Sequence, residues 1–183
     1  MNPIAFTPLD IGNGFSLRAT TLADAAEMYA VIDRNRDHLA RWLAWVSNAH
    51  AAGDIELFLL GALDSVRRGS GLTCAVVRDA RIVGAIALHR TDSPERCAEV
   101  GYWLAREESG HGVMTAAVRA MLAYAFAELG IHRVELIAAT ENVRSRNIAE
   151  RLGMTREATL RERLFIGGRF VDAVLYAALA PSG

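Results

Sequence analysis

The chain begins with helix-period patterning and changes to strand alternation near its middle. Phe15 to Ala19 reads as a short strand. Thr20 or Thr21 then caps a helix whose apolar positions Leu22, Ala25, Met28, Tyr29 and Ile32 recur three and four apart. Leu39, Trp42, Leu43 and Val46 predict a second helical stretch. Asp54 caps a third helix carrying Leu57, Phe58, Leu60, Gly61 and Leu63 and ending near Gly69. Leu72 to Val77 and Ile82 to His89 then read as a hairpin about Asp79-Ala80-Arg81, and Ala98 to Leu104 as a further strand. Met114, Ala117, Val118, Met121, Leu122, Ala125, Phe126 and Leu129 mark a long helix stopped by Gly130. Arg133 to Ala138 is a strand, Val143 to Leu152 a helix, and two closing strands flank Gly167-Gly168. Helices first, then a meander, then strand–helix–strand–helix–strands predict an α+β layered domain around one mixed sheet.

Composition narrows the picture. With 183 residues, 52% of them apolar, the chain suits one domain with a full core, spanning residues 1–183. No apolar run is long enough to cross a bilayer, and Met1 to Asp10 lack a secretion-signal pattern. Cys74 and Cys97 are too few for a disulfide framework and lack zinc-ligand spacing, so no metal and a cytoplasmic location are expected. A net charge of -1 supplies no global field for nucleic acid or membrane. All 20 basic residues are arginine. Codon-usage bias is the plain explanation; avoidance of lysine by an enzyme that modifies amines is the functional one.

The candidate chemistry starts at Ser109-Gly110-His111-Gly112-Val113-Met114-Thr115, between a strand and the long helix. Two glycines let the backbone take conformations closed to other residues, and the first free N–H groups of the helix favour an anion such as phosphate. No lysine follows and no Walker spacing is present, which argues against a nucleoside-triphosphate site. The three-glycine dinucleotide fingerprint is also absent. Alone, the loop also fits a plain strand-to-helix turn.

Its surroundings decide the reading. Ala98-Glu99-Val100-Gly101-Tyr102-Trp103-Leu104, the glycine loop and Thr115 resemble the GNAT acetyltransferase superfamily, and within it the Rim-type branch that acetylates ribosomal proteins. Leu39 to Val46 is similar to that branch's tryptophan-rich segment. Gly130 to Leu136, Asn142-Val143-Arg144-Ser145, Arg151-Leu152-Gly153-Met154 and Asp172 to Tyr176 follow in the family's order, so the resemblance runs from Phe15 to Leu179. Three positions depart from the pattern. Ser109 replaces the common Gln or Arg, Met154 an aromatic, and Ala158 a glycine.

The resemblance implies a three-layer GNAT-like domain whose mixed central sheet is splayed in the middle, with helices on both faces. It implies acetyl-CoA as co-substrate and a pantetheine arm along Trp103, Leu104 and Ala105. The pyrophosphate is expected on the amides of Gly110, His111, Gly112, Val113, Met114 and Thr115, and the 3′-phosphate on Arg119, Arg144 or Arg146. Attack by an amine requires loss of a proton. Glu99 is the implied base, directly or through water, or else a solvated carboxylate or a structural partner of Arg96 or Arg133. A backbone amide of the same strand stabilises the oxyanion. Ser145 protonates or holds the leaving sulfur, and Asn142 contacts pantetheine while capping its helix. Trp42, Trp45 and Tyr102 line the acceptor entrance or serve as core aromatics. His89 and His132 read as structural, and Cys97, on the strand parity of Glu99, as a thiol that faces the cleft or, more simply, is buried. Arg34, Arg36, Arg41, Arg67 and Arg68 form a basic patch or, more simply, solvated helix faces.

The expected acceptor is the N-terminal α-amine of a ribosomal protein. A polyamine, amino sugar or antibiotic is the alternative, as is a catalytically silent CoA-binding module. A homodimer is a further expectation of the family.

Overall fold

The computed structural model describes residues 3–181. Its frame is one eight-stranded sheet in the order β1-β2-β3-β4-β5-β6-β8-β7. The strands are β1 (Leu9–Gly12), β2 (Phe15–Ala19), β3 (Gly71–Arg78), β4 (Arg81–His89), β5 (Cys97–Leu104), β6 (Arg133–Ala139), β7 (Thr155–Ile166) and β8 (Arg169–Leu179). All neighbours are antiparallel except β5 and β6. The helices are α1 (Ala25–Arg34), α2 (Arg36–Leu39), α3 (Ala52–Arg68), α4 (Val113–Ala127) and α5 (Val143–Arg151). The mixed α+β sheet with helices on both faces matches the expectation, and no described helix is long and apolar enough to cross a membrane.

The sheet separates two apolar clusters. One packs α4 and α5 against β2 to β6 and β8, through residues such as Leu88, Val100, Met121, Leu136 and Tyr176. The other packs α1 and α3 on the opposite face, through Met28, Ile32, Leu59, Ile82 and Trp103. β3 is buried from Gly71 to Val77 because it feeds both clusters, which is why it reads as a continuous apolar run. α4 buries seven of its side chains and lies within the core rather than along its edge.

The first helices show where pattern and structure part. Asp24 accepts the Thr21 amide at 2.7 Å and a forked contact from Arg18 at 2.8 and 2.7 Å, so the entry turns once as a 3-10 segment before α1. Asp54 lies inside α3 and reaches back to the amides of His50 and Ala51 at 2.8 and 2.9 Å. The Leu39 to Val46 stretch is not a helix. Arg36 donates 2.7 Å bonds to the carbonyls of Val46 and Ala49 and folds residues 44–48 into a 3-10 turn. An arginine spent on carbonyls leaves no periodic signature. β1 escaped the sequence reading because four residues ending at Gly12 are too short for alternation to show.

Gly84 on β4 fixes the position of β5. A Cβ there meets the Trp103 carbonyl oxygen at 2.5 Å and the Leu104 Cα at 3.1 Å. The chemical denaturation midpoint of Gly84→Ala is therefore expected to fall, with a loss of about 1–3 kcal/mol, the usual cost of overpacking. A wild-type midpoint excludes this close approach as a constraint on β5.

Candidate active site

β5 and β6 pair only through Cys97–Arg133, Ala98–Val134 and Glu99–Glu135, and then part. β5 remains attached to β4 as far as Leu104, and Ala105 donates to the Val83 carbonyl at 2.8 Å. Strand alternation therefore turns the backbone groups of Trp103 and Ala105 toward β4. Those of Tyr102 and Leu104 turn toward the opening, with the Val100 carbonyl, while the Val100 amide still belongs to the last pair with β6. The opening is part of a cleft of about 1230 Å³.

The glycine loop forms one wall. Gly110 and Gly112 have φ of +92° and +75°, and Gly112 is the N-cap of α4. No backbone or side-chain acceptor among the described residues meets the amides of residues 110 to 115. Six consecutive free donors at the positive end of a 15-residue helix are a cradle for an anion. Ser109 turns its hydroxyl to the Ala105 carbonyl at 3.3 Å, so this loop holds an anion by backbone alone.

The side chains of β5 divide between the two faces. Val100, Tyr102 and Leu104 belong to the α4–α5 cluster, whereas Trp103 belongs to the α1–α3 cluster and Glu99 shares its parity. On the first face the Tyr102 hydroxyl lies 2.8 Å from Ser145 Oγ. The Asn142 side chain accepts the Ser145 amide at 3.2 Å and caps α5. Burial pushes the Tyr102 phenol up to about 12, against a smaller opposing effect of Ser145. The sequence leaves Tyr102 open between the acceptor entrance and a core aromatic. Its partnership with Ser145, 43 residues away, has no trace in spacing.

On the second face Glu99 is one-third exposed, with Arg90 at 3.6 Å. Arg90 also meets Glu135 at 3.1 Å, and Arg133 holds Glu135 at 2.9 Å and pairs with Glu157. Glu99's cationic partner is thus Arg90 rather than Arg96 or Arg133. His89, read as structural, lines the same cleft across the strand pair from Glu99. Desolvation lowers the His89 imidazole and Arg90 adds to this, while Glu99 opposes it.

The cleft thus gathers Glu99, Trp103, Leu104, Gly110, Gly112, Val113, Met114, Thr115, Asn142 and Ser145. Ala105 and His111 do not line it. Of the three arginines considered for a phosphate, Arg146 donates to the Thr140 carbonyl at 2.9 Å and the Tyr176 hydroxyl at 3.2 Å. Arg119 and Arg144 line the cleft and are exposed. No three or more His, Cys, Asp or Glu among the described residues are grouped to hold a metal.

Residues 15–155 match the model of the acetyltransferase (GNAT) domain family. The chain is 32% identical to the "Putative ribosomal N-acetyltransferase YdaF" of Bacillus subtilis, over 92% of this chain and 93% of that one. It is 23% identical to the ribosomal-protein-serine acetyltransferase of Escherichia coli, over 95% and 97%. A solved RimL ribosomal α-N-protein acetyltransferase in complex with coenzyme A shares the fold with a TM-score of 0.90, at 20% identity over 95% and 98% of the two chains.

Gly112→Ala forces a side chain into the left-handed region, at a cost of roughly 1–2 kcal/mol. Thermal melts are expected to show a lower Tm and a reduced stabilising shift on adding coenzyme A. A full shift in this variant shows that the anion is seated elsewhere.

Proposed function

The chain belongs to the GNAT acetyltransferase family and is an acetyl-transferring enzyme; we propose that its acceptor is the N-terminal α-amine of a protein, a ribosomal protein by the precedent of its relatives. One observation carries the reading. The free-amide cradle at Gly110 and Gly112 to Thr115, the Tyr102–Ser145 pair and Glu99 all open on a single cleft where β5 leaves β6.

Acetyl-CoA supplies the acetyl group as a thioester activated toward amines. The cradle binds its pyrophosphate, Leu104 offers backbone groups to its pantetheine, and Arg119 or Arg144 takes its 3′-phosphate. Glu99 removes the proton that an ammonium carries, directly or through water. Tyr102 presents its amide to the carbonyl oxygen as charge builds there. Ser145 gives a proton to the sulfur as the C–S bond breaks and the C–N bond forms. Tyr102 positions Ser145 and stays protonated. The ammonium gives up two protons, one before attack and one from the tetrahedral adduct. Glu99 takes them in turn and passes them to solvent. A solvent proton restores Ser145, and one proton is released for each acetyl group transferred.

An α-amine suits this machinery. Its pKa is about 8 against about 10.4 for lysine, so near neutrality roughly a tenth of α-amines are already free, but under about a thousandth of lysines. One carboxylate is modest help, and modest help suffices for the first.

Three measurements test the reading. Ser145→Ala is expected to lower kcat at least tenfold with little change in acetyl-CoA affinity; equal turnover removes Ser145 from the mechanism. Tyr102→Phe is expected to lower kcat by a factor that stays constant up to about pH 10, because the phenol does not ionise below that. Finally, thiol release and mass spectrometry with N-terminal peptides, a polyamine and an amino sugar identify the acceptor. Release with peptides supports the proposal, and release only with a small amine replaces it. A stabilising shift with acetyl-CoA but no release for any amine points to a CoA-binding module.

A further inference from the structure

The acceptor half of the cleft is built unlike the cofactor half. Met28, Ile32, Leu39 and Ile55 reach it from α1, α2 and α3, with Trp42 beside them. At the rim stand Trp45, 41% exposed, and Phe58, 49% exposed. Both are mounted on rigid pieces. Trp45 sits in the 3-10 turn held by Arg36, and Phe58 projects from α3. Two large aromatics kept at a cleft mouth, where water contact is unfavourable, mark a contact surface for an apolar group.

The charges of the same cleft exclude a different class of amine. Three carboxylates line it, and each has a partner. Asp54 accepts two backbone amides, Glu99 lies beside Arg90, and Glu108 meets Arg78 at 2.9 Å. Arg119, Arg144 and Arg151 also line it, and none is in an ion pair among the described residues. His38 lies on the same wall, and an imidazole, neutral or protonated, supplies no negative charge. A polycationic acceptor needs unpaired carboxylates to replace its water, and this lining offers none.

We infer that the acceptor site selects a peptide with a large apolar side chain within its first three residues, seated on Trp45 and Phe58, and rejects polyamines. This inference rests on the N-terminal amine reading and deepens it.

The test compares initial rates with acetyl-CoA for four acceptors: the peptides Ala-Phe-Gly-Ser, Ala-Gly-Phe-Ser and Ala-Gly-Gly-Ser, and spermidine. At least one phenylalanine peptide is expected to exceed the all-glycine peptide and spermidine by roughly tenfold or more in kcat/KM, the discrimination one apolar side chain supplies. In the Trp45→Ala, Phe58→Ala double variant that ratio is expected to fall to about twofold or less, chiefly through KM. Both side chains are substantially exposed, so an unchanged Tm verifies the fold. Equal rates for all three peptides overturn the inference and leave the N-terminal amine reading intact. So does a preference that survives in the folded double variant. Turnover of spermidine with none of the peptides overturns both.

Discussion

Everything at this site depends on three residue pairs being made and the rest withheld. Parallel strands in a closed sheet continue their ladder because an unpaired backbone group is costly away from water. Here β6 abandons β5 after Glu99, yet both strands run on, one held by β4 and the other by β8. The separation leaves the backbone of Tyr102 and Leu104 as a built-in binding edge. It also leaves a passage between the two faces of the sheet, so groups on opposite faces act at one place.

That passage explains the division of labour. The α4–α5 face carries the anion cradle and the Tyr102–Ser145 pair, while the α1–α3 face carries Glu99 and the aromatic rim. On the proposed reading, the donor is held from one side, the acceptor arrives from the other, and they meet in the gap without competing for the same wall. α5 starts directly beyond the end of β6, which brings Ser145 across to β5. Asn142 fixes the first turn and so the aim of the hydroxyl.

Electrostatics separate the structural arginines from the available ones. Arg18, Arg36, Arg133 and Arg146 are consumed by carboxylates and carbonyls within the fold. Arg119, Arg144 and Arg151 are left facing the cleft. In a chain whose net charge is only -1, this sorting produces a local positive lining that the overall balance conceals.

The order of elements, the mixed sheet and the glycine loop were legible in the chain itself, and the acetyl-CoA reading followed from the ordered resemblance to the GNAT family. Periodicity, the glycines and Asn142-Val143-Arg144-Ser145 are local signals, and local geometry enforces them. The helix misread over Leu39 to Val46 marks the limit, since a side-chain fork from Arg36 outweighed the apolar spacing there. Only the tertiary structure revealed that Tyr102 meets Ser145, that Arg90 rather than Arg96 or Arg133 stands beside Glu99, and that Ser109 turns away from the cradle. These are contacts between distant segments or choices between equivalent partners. They are decided by the point at which β5 and β6 part, which strand patterning does not encode because both strands stay extended on either side of it.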